Sequence, residues 1–141
     1  MFPSSPDPTA AYRKVGLETQ LDSASPHKLV VMLFDGALVA VANAQRYMEN
    51  KEIAEKGKAI SKAIDIIANG LQASLDIEGG GEIAIQLEAL YEYMGQRLLH
   101  SNLHNDIAAL KEVSSLLQEL KSAWEKIADD PAVLSSTPGG Q

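Results

Sequence analysis

His100 and His104 stand four residues apart, a spacing that sets two imidazoles on one helix face, where they could share a metal ion. The surrounding sequence argues against that chemistry. No Glu follows His100 directly, and none stands three residues before either histidine. Neither the zinc-protease pattern nor the Glu-x-x-His pattern of di-iron bundles is therefore present. Asn102 and Asn105 mark a turn in this stretch, so the reading that fits is two solvent-exposed histidines near a helix end. Gly79-Gly80-Gly81 could cradle a phosphate, but it lacks the preceding strand and the following Lys-Ser or Lys-Thr of a phosphate loop, and reads as a turn. Serine, histidine and aspartate occur in no spacing that sets up nucleophile, base and orienter. With no cysteine there is neither thiolate chemistry nor a disulfide framework. These residues point away from an enzyme and call for no metal and no cofactor.

The most informative element is instead the run Leu29 to Ala44 (LVVMLFDGALVAVANA), which holds a single charge, Asp35. Ser25-Pro26 supplies an N-cap and a first-turn proline, so the run starts as a helix. A helix apolar on nearly every face, in a chain of 141 residues, has more apolar surface than one small core hides, and the surplus implies a partner. Membrane insertion is the rival reading, but a spanning helix needs about 20 mostly apolar residues, and this run is shorter and broken by Asp35-Gly36. Asp35 must be exposed, paired or protonated. It either meets water beside Gly36 on the outer side, or pairs with Arg97 from a later helix.

Composition narrows the partner. Twelve Lys and Arg against nineteen Asp and Glu leave a net charge of -7, and no basic cluster is present to displace counterions from a phosphate backbone, which argues against nucleic acid. The absence of cysteine fits a reducing compartment, and MFPSSPDPTAAYRK lacks the basic start and apolar stretch of a secretory signal, so a cytosolic location is expected.

The elements that would position such a surface follow from periodicity. Residues 1–8, with three prolines, are expected to be a flexible N-terminus. A short, weak helix is expected from Thr9 through Tyr12 and Val15. Four long helices follow, from about Pro26 to Glu49, Glu52 to Asp76, Glu82 to His100 and Asp106 to Ala128, with turns at Asn50-Lys51, the glycine triplet and Asn102 to Asn105, where Asn105 is expected to cap the last helix. Their seams alternate by three and four: Ile53, Gly57, Ile60, Ile64, Ile67, Leu71 and Leu75 in the second; Ile83, Leu87, Leu90, Met94 and Leu98 in the third; Leu110, Val113, Leu117, Leu120, Trp124 and Ile127 in the fourth. Short turns between long helices predict an all-α fold, an antiparallel up-down-up-down four-helix bundle with a short extra N-terminal helix, in a single domain spanning 9–128. Residues 129–141 carry two prolines and no periodicity and are expected to form a disordered tail. Beside its seam the second long helix carries a stripe of Ala59, Ala63, Ile66, Gly70, Ala73 and Ile77. Small residues along a face either admit another chain closely or pack on a neighbouring helix of the same bundle. The third adds Ile85, Ala89 and Tyr93.

An ordered set of segments now resembles one family. Ala11-Tyr12, Ser25-Pro26-His27-Lys28-Leu29, Met32-Leu33-Phe34-Asp35-Gly36-Ala37, Ser74-Leu75-Asp76, Gly80-Gly81-Glu82-Ile83-Ala84, Leu90-Tyr91-Glu92-Tyr93-Met94 and Asn102 to Asp106, up to Trp124, resemble the flagellar secretion chaperone family, FliS. Phe34 departs from it, since many relatives carry tyrosine there. The resemblance implies a cytosolic chaperone that binds the disordered C-terminal segment of flagellin, prevents its premature polymerisation and delivers it to the flagellar type III export apparatus. It also implies that the segment with Tyr12 is a movable flap over part of that site. Subtracting the core seams leaves an expected contact set: Tyr12 from the flap; Val31, Leu38, Val39 and Ala42 from the first long helix; Ala63, Ile66, Gly70, Ala73 and Ile77 from the stripe; and Ile85, Ala89 and Tyr93 from the third helix. A homodimer, or a homo-oligomeric adaptor with another helical client, is the alternative use of the same apolar surplus.

Overall fold

The structure, a computed structural model, describes residues 10, 11 and 25–128. Among the described residues there are four α-helices and no strand. They are α1 (Pro26–Glu49), α2 (Ile53–Asp65), which runs on as a π-helical segment (Ile66–Gln72), α3 (Ile77–His104) and α4 (Ile107–Ala128). Ala10 and Ala11 are helical and Ala11 is buried, whereas Tyr12, the rest of the helix foreseen from Thr9, and segments 1–8 and 129–141 lie outside the described residues.

α1 begins as its sequence requires. The Ser25 hydroxyl accepts a hydrogen bond from the Lys28 amide at 3.1 Å, satisfying one of the amides a helix start leaves without a partner. It ends at Asn50, and Lys51 takes a positive φ of 60° to turn the chain into α2. Leu29, Leu33, Phe34, Ala37, Ala40, Val41, Ala44 and Met48 are buried. That broad face is what a helix needs to pack on two neighbours at once, here α2 with its π segment on one side and α4 on the other. As formed, α1 is long and apolar enough to cross a membrane by length and composition, so shortness of the run does not argue against insertion. Its commitment to the core does.

The second helical stretch departs from a regular helix at Ile66. In a π-helix each amide bonds five residues back, so successive side chains turn through a smaller angle. Adjacent pairs are buried as a result: Ile66 with Ile67, then Gly70 with Leu71, filling the space between α1 and α3. Gly70 permits a close approach, because a β-carbon there would stand 2.8 Å from Leu33 Cδ2, which would have to shift. Ser74 closes the segment, its hydroxyl donating to the Gly70 and Leu71 carbonyls at 2.9 and 3.0 Å.

The glycine triplet is not a simple turn between helices. Asp76 accepts from the Gly79 amide at 2.9 Å and starts α3, Gly79 and Gly80 complete its first turn, and only Gly81 breaks the helix, at φ 60° and ψ -135°. That conformation is open essentially to glycine alone. After the break the buried residues of α3 run Ala84, Tyr91, Met94, Leu98 and Ser101, with Leu87 half-buried beside them. Ile83, and Ile53 at the start of α2, both expected in a seam, are exposed, and Leu90 is only half-buried. Asn105 likewise serves a different end from the one expected. It sits left-handed at φ 52° and closes α3, while Asp106 caps α4 by accepting from the Ala109 amide at 3.2 Å. Lys56 braces this turn from α2: its buried ammonium donates to the Asn102 carbonyl at 3.0 Å and to Asn105 Oδ1 at 2.6 Å. In α4, Leu110, Val113 and Leu117 are fully buried, Leu120 and Trp124 pack against the core, and Ile127, placed in the seam by spacing, is exposed.

Candidate functional site

The apolar surplus of α1 emerges beside α2. A groove of about 470 Å³ runs between them, floored by the small residues Gly36, Ala40 and Ala59 and walled by Met32, Val39 and Ile66. Val39 is 59% exposed and adds apolar surface beside the groove floor. Asp35 and Lys62 stand at the groove's edge. The Asp35 side chain is half-exposed, and its carboxylate meets Lys121 of α4 at 2.6 Å; the pairing with Arg97 considered from sequence does not form. That hydrogen bond holds the Lys121 ammonium above its usual pKa. A second groove, of about 310 Å³, lies between α2 with its π segment and α3, where Ile64, Ala68 and Leu99 surround Gly95.

The thirteen expected contact residues divide among different environments. Val39 and Ala42 are exposed on α1, and Val31 and Leu38 are half-buried there. The stripe splits: Ala63, Ile66 and Gly70 are buried in the core, where Ile66 also forms part of the α1–α2 groove wall, while Ala73 is exposed and Ile77 half-buried. Ile85 and Ala89 are exposed on α3. Tyr93 is partly exposed but faces α4, its hydroxyl donating to Glu112. Tyr12 lies outside the described residues. The structure thus gathers Val39 and Ile66 at one groove and sets Tyr93 apart, on the α3–α4 face.

That face carries a polar chain. Glu112 accepts from Tyr93 and, at 2.8 Å, from Arg97 Nε, while Arg97 stands 4.0 Å from Asp106, whose Oδ2 lies 3.1 Å from His100 Nε2. His100 and His104 face each other with ring centroids 4.6 Å apart, tilted. Among the described residues no three His, Asp or Glu side chains converge as metal ligands. Hydrogen bonds from Tyr93 and Arg97 hold the Glu112 carboxyl below its usual range, and the bond from the Ala109 amide does the same for Asp106, helped by His100. Both carboxylates are therefore better stabilised folded than unfolded. Their contribution is present above the ordinary carboxylate pKa and is lost as pH falls through the lowered folded values. The urea midpoint should drop between pH 5 and pH 3, and Glu112→Gln should flatten part of that drop.

Sequence reasoning missed three side chains. They are Lys56, Lys121 and Tyr91, none of which the spacing argument assigned a place. Only the last had a signal: Ala84, Leu87, Tyr91, Met94, Leu98 and Ser101 alternate by three and four as evenly as the chosen seam.

An all-helical body with apolar grooves between α1 and α2 and between α2 and α3 has the kind of surface that helix-in-groove recognition uses. Comparison with known proteins makes this specific. The family described as flagellar protein FliS matches residues 8–131. The flagellar secretion chaperone FliS of Salmonella typhimurium is 51% identical over 118 residues, covering 84% of this chain and 87% of that protein. FliS of Escherichia coli is 44% identical over 126 residues, covering 89% and 93%, and FliSB of Pseudomonas aeruginosa is 48% identical over 117 residues, covering 83% and 92%. The chain belongs to the FliS family of flagellar secretion chaperones, which is not a class of enzymes.

Proposed function

We propose that this protein is a cytosolic chaperone that binds the disordered C-terminal segment of flagellin stoichiometrically, without turnover, and hands it to the flagellar export apparatus. An antiparallel up-down-up-down arrangement of the four helices provides the rigid frame. The observation that carries the reading is the groove between α1 and α2, with Val39 exposed over a floor of glycine and alanine. Flagellin's terminal segment presents apolar helical stripes that would self-associate if left open to the cytosol. Laid as helices along this groove and the one between α2 and α3, those stripes are hidden, and the contact area offsets the cost of ordering the segment.

Val39 is the position at which to test the reading, because Ile66 and Gly70 are too buried to change without disturbing the core. Calorimetric titration with a peptide of about the last forty residues of the organism's own flagellin should saturate near one to one, with a negative heat-capacity change. Val39→Asp should weaken binding by about tenfold or more, since a carboxylate would be placed against an apolar client surface, while the unfolding midpoint stays unchanged. Equal affinity in the variant would remove the α1–α2 groove from the site. No binding by the folded wild type would shift the reading to self-association.

A further inference from the structure

The last turn of α3 holds two imidazoles that the polar chain of the α3–α4 face uses only in part. From sequence, a turn across Asn102 to Asn105 separates His100 from His104. In the structure α3 runs through His104, so the two rings stand on one face of a continuous helix. Their centres are 4.6 Å apart and their planes tilted by 45°. His104 is exposed, and the His100 side chain is 42% exposed. A metal ion about 2.0 to 2.1 Å from one nitrogen of each ring, with a bond angle of about 90 to 110°, sets ring centres about 4.5 to 5.2 Å apart. The folded chain therefore already holds the pair at the separation of a chelate.

Asp106 supplies a second observation. Its Oδ2 lies 3.1 Å from His100 Nε2, and its carboxyl is held below the usual range, so it is ionised. An ionised carboxylate only accepts hydrogen bonds, which puts the ring proton on Nε2 and leaves Nδ1 with the lone pair. A carboxylate behind an imidazole is the usual companion of a metal-ligating histidine, because it orients the ring and raises its basicity. Arg97, 4.0 Å from the same oxygen, is an opposing charge, but Glu112 pairs with it at 2.8 Å.

We propose that His100 and His104 chelate one divalent late transition-metal ion, of the Zn²⁺, Ni²⁺ and Cu²⁺ group that imidazole suits, with Asp106 orienting His100 and water completing the coordination. No third side chain converges on the pair among the described residues, so the ion is exchangeable and not locked in place. It ties down the end of α3, next to the turn that Asn105 closes. This assignment does not rest on flagellin binding.

The test uses the full chain without an affinity tag. Cu²⁺, the tightest of these ions at nitrogen sites, is titrated by calorimetry and by electron paramagnetic resonance. Binding should saturate near one to one, with nitrogen hyperfine splitting in the spectrum, and Zn²⁺ should compete for it. His100→Ala and His104→Ala should each weaken Cu²⁺ binding about tenfold or more, and Asp106→Asn, which keeps a side-chain oxygen for the Ala109 amide, about tenfold. Saturating Zn²⁺ should raise the unfolding midpoint of the wild type but not of His104→Ala, because an ion bound only by the folded state stabilises it. Unchanged affinity in either histidine variant overturns the chelate. So does Cu²⁺ uptake that never saturates, or a Zn²⁺ effect on the midpoint that survives in His104→Ala.

Discussion

Leu117→Ala is expected to lower the free energy of unfolding by about 2 to 5 kcal/mol, a large share of what a domain of this size possesses. Leu117 has no exposed surface and lies in the same cluster as Leu33, Met94 and Leu98, so the atoms removed leave a cavity that three helices would have to move together to close. Urea unfolding followed by circular dichroism should show a lower midpoint with an unchanged slope. Leu90→Ala provides the internal contrast. By spacing alone Leu90 and Leu117 are equivalent seam residues, but Leu90 is only half-buried, and its truncation should cost clearly less. Equal losses at the two positions would mean that α3 is rotated from the register described here.

The second large effect is expected from Gly70→Leu. At most helical positions removing a glycine is favourable, because glycine loses more backbone entropy on folding than any other residue. Here the first carbon added already stands 2.8 Å from Leu33 Cδ2, the tip of a fully buried side chain that has little room to yield to a larger group. Three further carbons must push α1 away from the π segment, for a loss of about 1 to 3 kcal/mol. Any fall in flagellin affinity in this variant would follow from that displacement, so its unfolding midpoint has to be measured beside its binding. Gly70→Ala is the milder partner: it tests whether the helix-forming gain outweighs a few tenths of an ångström of adjustment by Leu33. A stable Gly70→Leu would contradict the contact between α1 and the π segment.

The all-helical class, the bounds of α1 and the family were legible in the chain, because each rests on local rules or on an ordered set of residues. Ser25-Pro26 starts a helix whatever surrounds it, and the three-four alternation of Leu110, Val113 and Leu117 can serve only a helix with one buried face. The existence of surplus apolar surface was legible too, since a run such as Leu29 to Ala44 cannot be hidden by one neighbour. Tertiary structure alone decided which faces are turned outward. The π turn at Ile66 and the break at Gly81 each change the angle between successive side chains. In α3 two stripes alternate equally evenly, and only the neighbouring helices decide that Ala84 and Tyr91 rather than Ile83 and Leu90 are covered; Ala63 and Gly70, offered to a client, are likewise buried in the core. Charge pairing was equally out of reach. Asp35 meets Lys121, and Lys56 donates to the Asn102 carbonyl and the Asn105 side chain, across separations in the chain that no periodicity encodes, because such a contact depends on where two helices cross and not on what either helix is.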